Sequence, residues 1–189
     1  MKLGGWRHFG SFPDDHFAVN GSTLADAPNG IAAGLSGNYG LYGVLEQKLY
    51  RPPDSDDRGV GVFVRASTSP ADRNLIDLYA DAGVQITGLD ARRPTDKFGI
   101  AVGYAHVSSR ARALDADFRQ LNGSDWPIRS SEKLLTAVYQ VELRSGWTLQ
   151  PNFQYIVRPG GGATNPLGST PGIALKDAAV FGLRTTVKF

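Results

Sequence analysis

The chain has 189 residues, 20 basic against 18 acidic, with 23 glycines, 11 prolines and no cysteine. The near-balanced charge leaves no nucleic-acid footprint, and the missing cysteines exclude disulfides, thiol nucleophiles and Cys metal sites. No stretch approaches the roughly 18 consecutive apolar residues of a transmembrane helix, yet a membrane β-strand needs only about 9–11 residues, half of them polar.

Read by period, the chain gives about eight strands. The first is expected over Lys2–Phe9, opening on Met1-Lys-Leu-Gly-Gly-Trp6, which lacks the apolar core of a secretory signal. A long connection, Gly10–Gly37, follows. His8, Asp14, Asp15 and His16 match no metal-ligand spacing and read as solvated loop residues; Asn20-Gly21-Ser22 reads as a turn. Further strands are expected over Asn38–Tyr50, Gly59–Ser67, Leu75–Leu89 and Lys97–Val107. In the last of these Phe98, Ile100, Val102 and Tyr104 alternate with Gly99, Ala101, Gly103 and Ala105. Ala111–Leu121 is the one helical pattern, placed in a loop that ends near the turn Asn122-Gly123-Ser124. Glu132–Arg144 sets Leu135, Ala137, Tyr139, Val141 and Leu143 against Thr136, Val138, Gln140, Glu142 and Arg144. Trp147–Arg158 alternates likewise. Gly160-Gly161-Gly162 opens no helix and is no phosphate loop. Ala178–Phe189 closes the chain with Phe181, Leu183, Val187 and Phe189 on one face and Arg184 and Lys188 on the other.

A face carrying Gln, Asn, Glu and Arg together cannot be a dry core and must meet water, outside a soluble sheet or inside a wet pore. The connections separate the two. They alternate between long (Gly10–Gly37, Ser108–Ser131, Pro159–Lys176, with Thr68–Asn74 shorter) and short (Arg51–Arg58, Asp90–Asp96, Ser145-Gly146), the asymmetry of outer-membrane barrels. Tyr39, Tyr50, Tyr104, Trp147, Phe153, Tyr155, Phe181 and Phe189 fall near strand ends or on the outward registers, as interfacial aromatic girdles do.

The run Gln150-Pro-Asn-Phe-Gln-Tyr-Ile156, followed by Pro159-Gly160-Gly161 and by Gly182-Leu-Arg184 through Phe189, resembles the carboxy-terminal part of the carbohydrate-selective porins of the OprB family. Trp6-Arg-His8, Asn38-Tyr-Gly40 and Glu132–Glu142 are similar as well. Asn152 stands where the family often has an acidic residue. The resemblance implies an all-β, antiparallel transmembrane β-barrel of outer-membrane porin type. The chain 1–189 would be a single partial domain of about eight strands, the carboxy-terminal half of a barrel of about sixteen. It also implies passive diffusion of small sugars, with no catalytic residue, cofactor or metal. The partners expected are small carbohydrates, outer-membrane lipid, the barrel-assembly machinery and further copies of the chain, and the location is the bacterial outer membrane.

The inward registers supply the candidates for the sugar path: Glu46, Lys48, Arg65, Asp77, Asp81, Gln85, Gln140, Glu142, Arg144, Gln150, Asn152, Gln154, Arg158, Arg184 and Lys188. Arg donates and carboxylates and amides accept, which suits a hydroxyl-covered neutral solute, and Tyr42, Phe63 and Tyr79 add stacking surfaces. The same charges can instead pair across strands and brace the wall. Phe189 is expected to mark the terminus for membrane insertion. Two alternatives stay open: a small autonomous outer-membrane barrel with a filled interior, and a soluble barrel that turns its apolar registers inward around a ligand.

Overall fold

The computed structural model describes every residue except 28–29, 54, 56, 124, 168–171 and 189. Phe189 and Ser124 therefore lie outside the described residues. Among the described residues eight antiparallel strands follow one another in a single sheet, each paired with its neighbours in sequence. They are β1 (Lys2–Ala18), β2 (Ala32–Tyr50), β3 (Gly59–Thr68), β4 (Ile76–Thr87), β5 (Lys97–Val107), β6 (Ser131–Arg144), β7 (Trp147–Val157) and β8 (Ala178–Val187). The sheet is open, with β1 and β8 at its two edges. Among the described residues one α-helix, α1 (Ser109–Asn122), sits between β5 and β6. Its N-cap Ser108 accepts a hydrogen bond from the Ala111 amide at 3.3 Å.

The largest departure from the sequence reading is at the start. Gly10–Gly37 does not form one long loop: β1 continues to Ala18 and β2 begins at Ala32. Pro13 and the Asp14-Asp15 pair suggest a loop, but pairing with β2 on both sides of the aspartates carries the strand through. Pro13 indeed pairs with Gly34. The register slips between His8 and Ser11, opposite Gly37, whose φ of 73° is open to glycine at no steric cost. Elsewhere the expected strands and the helix differ from the observed ones by three residues or fewer at each end.

Pairing across the sheet settles which side chains share a face. One row runs Glu46, Phe63, Gly83, Ala101, Thr136, Gln154, Val180, and the next Lys48, Gly61, Gln85, Gly99, Val138, Asn152, Gly182. The alternate rows are apolar, for example Leu45, Val64, Ala82, Val102, Leu135, Tyr155, Ala179. Among the described residues only Ala18, Val107 and Ala111 are buried apolar side chains. Val102, Phe181, Leu183 and Val187 remain 55%, 81%, 70% and 56% exposed. A water-soluble sheet of this size folds its greasy face onto a second layer. Among the described residues nothing covers it, and Leu135, Tyr139, Val141 and Phe181 share no dry centre, so the soluble ligand-binding alternative has no interior to use.

Candidate functional site

The polar face is the candidate site, and the strand register builds it. Twelve of the fifteen candidates follow one alternation: Glu46 and Lys48 on β2, Arg65 on β3, Asp81 and Gln85 on β4, Gln140 and Glu142 on β6, Gln150, Asn152 and Gln154 on β7, and Arg184 with Lys188 in and just beyond β8. Lys97 lies opposite Gln140, Gln150 opposite Arg184, and Thr148 opposite Glu142. The other three sit at the margins. Asp77 lies where the β4–β5 register shifts, its carboxylate 2.7 Å from His106 Nδ1. Arg144 pairs with Trp147 across another shift at the tight turn. Arg158 follows β7 with φ 55°, and its amide donates to Asp177 Oδ1 at 2.9 Å.

The tightest cluster is on β3 and β4. Arg65 Nε donates to Asp81 Oδ1 at 2.9 Å and its Nη2 to Asp81 Oδ2, a two-pronged pair. Tyr79 Oη donates to Asp81 Oδ2 at 3.3 Å, and the Arg65 guanidinium lies over the Phe63 ring, 5.0 Å from its centroid. The Asp81 side chain is 8% exposed and that of Arg65 53%. Lys2 and Glu46 form a looser, exposed pair at 3.9 Å. The polar face thus combines this braced pair with further donors and acceptors spread along the strands, Gln150 and Arg184 among them.

Sequence reasoning missed the layer of contacts at the long-loop end. Asp115 on α1 accepts from the Arg129 amide at 2.9 Å and from its Nε and Nη2 at 2.8 Å each. His16 Nε2 lies 2.6 Å from Asp117 Oδ2, and Arg110 lies over the Phe17 ring at 4.7 Å. The last two contacts dock α1 on the end of β1, and the first ties it to the segment before β6. Arg73 reaches the Ser36 carbonyl at 2.9 Å, and its guanidinium beside Asp72 holds that carboxyl below the usual carboxylate range. No local motif announces pairs that join segments up to about a hundred residues apart. Among the described residues no group of three or more acidic or histidine side chains is placed to hold a metal ion.

The opposite end has short turns, and one carries a testable anchor. Asp96 closes the turn between β4 and β5, accepting from Tyr139 Oη at 2.5 Å and from Arg93 Nη1 at 3.3 Å. Burial alone raises a carboxyl pKa, but here the hydrogen bonds from Tyr139 and Arg93 outweigh it and the group titrates below its ordinary value. A depressed folded pKa stabilises the fold fully above the unfolded value of about 3.9, and that contribution fades as pH falls through the folded one. In urea unfolding from lipid vesicles, Tyr139→Phe is expected to cost about 1–2 kcal/mol at neutral pH. Asp96→Ala is expected to flatten the loss of stability below about pH 4. An unchanged acid limb in Asp96→Ala would show that other carboxylates control it.

An open antiparallel meander, wet on one side, bare and apolar on the other, with its three longest connections (19–31, 108–130 and 158–177) at one end, is the wall of an outer-membrane porin. The family model for the carbohydrate-selective porins of the OprB family matches residues 1–189, and the chain belongs to that family. Porin B of Pseudomonas aeruginosa is 27% identical over 151 residues, covering 72% of this chain and 33% of the relative. The high-pH structure of Pseudomonas putida OprB superposes with a TM-score of 0.85 at 23% identity, covering 99% of this chain and 44% of that one. The chain thus spans about a third of the curated relative and under half of the solved one. The family resides in the outer membrane, which accounts for the uncovered apolar face.

Proposed function

We propose that residues 1–189 form part of one barrel domain whose polar face is the wall of a channel for passive, carbohydrate-selective diffusion of small sugars. The observation that carries the reading is the mixed character of that face: Glu46, Lys48, Arg65, Asp81, Gln140, Glu142, Gln150, Asn152, Gln154 and Arg184 all share it. A neutral solute with many hydroxyls exchanges its hydration for such donors and acceptors in many weak steps, so that it both enters and leaves. A wall of one sign would instead concentrate ions. Diffusion of this kind needs no reaction, and we assign none. The apolar face is the surface for outer-membrane lipid, the barrel-assembly machinery and further copies of the chain, and the long loops would lie outside the cell.

The test is swelling of liposomes that carry the protein expressed from its natural gene. Pentoses and hexoses are expected to enter faster than amino acids of equal size. Equal rates would leave a general pore and remove the selectivity for carbohydrate.

A further inference from the structure

On the polar face, Tyr42, Ser67 and Tyr79 form one row across β2, β3 and β4. Neighbouring strands lie about 4.8 Å apart, so the two tyrosines flank Ser67 at a separation of roughly 10 Å. Both lean away from it. A Cβ placed on Gly4, opposite Tyr42, would meet the Tyr42 ring at 2.5 Å, so the glycine seats the phenol. Tyr79 reaches the other way, its Oη on Asp81 and 3.7 Å from where a Cβ on Gly103 would stand. The result is a trough floored by a serine, walled by rings that are 45% and 40% exposed. At one end, one row along, stands the Arg65–Asp81 pair.

That end is equipped for hydroxyls. Two N–H bonds of the Arg65 guanidinium are used on Asp81, and three of its five remain for a solute. Phe63 and Tyr79 hold the pair in place, so its groups are oriented before a solute arrives. The pair is neutral as a unit, which leaves no net attraction for an acid or a phosphate ester. A pyranose with equatorial hydroxyls lays one flat C–H face on one of the two rings and turns a hydroxyl rim to the arginine.

We propose that this trough over Ser67, between Tyr42 and Tyr79 and ended by Arg65–Asp81, is a binding subsite for neutral aldopyranoses. The inference rests on the reading of the polar face as a channel wall. It assigns to one place on that wall the sugar contact that the channel reading leaves spread over many residues.

The test uses the protein expressed from its natural gene, in planar bilayers, with D-glucose titrated against the ion current. Migration before and after heating checks that each variant is folded. The paired variant Tyr42→Leu/Tyr79→Leu removes the walls, and Ser67→Leu fills the floor while keeping both rings. Each is expected to weaken the glucose block about fivefold, the equivalent of about 1 kcal/mol. Asp81→Asn leaves the Arg65 charge uncompensated and is expected to raise gluconate entry over glucose entry several-fold in swelling assays. Glucose titrations that match the natural protein in both trough variants would overturn the subsite while leaving the channel intact. An unchanged gluconate ratio in Asp81→Asn would overturn its charge neutrality. A natural protein that shows neither glucose block nor preferential sugar entry would instead remove the carbohydrate selectivity on which the subsite rests, leaving a general pore.

Discussion

Leu135→Arg is expected to cost the folded protein about 2–4 kcal/mol, roughly 30- to 1,000-fold in the folding equilibrium, while Thr136→Arg next to it is tolerated. Leu135 sits in β6 between Val102 and Tyr155, on the apolar face, and stays exposed. Its neighbour Thr136 lies between Ala101 and Gln154 on the polar face. A guanidinium in hydrocarbon loses its hydration without a partner, whereas one in a wet lumen keeps it. Folding yield into lipid vesicles, read from the heat-dependent shift in gel migration, compares the two. Equal yields would mean that the two faces do not see different solvents, and the membrane reading would fall.

Asp115→Ala is expected to release α1 from the strand end that it caps. Asp115 is buried, and its side-chain hydrogen bonds run to Arg129. Removing the carboxylate strands the guanidinium, whose side chain is 23% exposed, so the cost belongs at or below the low end for buried pairs, about 2–3 kcal/mol. The loss is local. The sheet ladder does not depend on this pair, so proteolysis between residues 109 and 130 should quicken about tenfold or more with unchanged strand content. Replacing both partners, Asp115→Leu with Arg129→Met, should restore most of the protection, because no charge is then left unpaired. A protease pattern identical to that of the natural chain would show that His16–Asp117 and the Arg110–Phe17 contact hold the helix unaided.

The two-residue period is strongest where one face meets hydrocarbon and the other water, and that is why β5 through β7 were readable to within a residue or so. The contrast between Leu135 and Thr136, or Phe181 and Gly182, survives in a single sequence because the two sides of the strand have different solvents. The same contrast made the polar candidates legible as a set, since their parity follows from that of the apolar row. It failed at the long-loop end. Beyond Phe9 the alternation weakens, Pro13 and paired aspartates imitate a loop, and only the partner β2 shows that the strand goes on. Trp6 is another omission. It shares the parity of Lys2 and Gly4, and a Cβ on Gly40 would meet its indole at 2.6 Å, which places it on the polar face.

Local pattern therefore determined the strand count, the two faces and the helix, because each depends on side chains a few residues apart. Pairing between distant segments was decided only in three dimensions: Arg65 with Asp81, Asp115 with Arg129, His16 with Asp117, and the trough between Tyr42 and Tyr79. Register and loop docking choose those partners, and both are set by the summed fit of whole strands. No single residue carries that information.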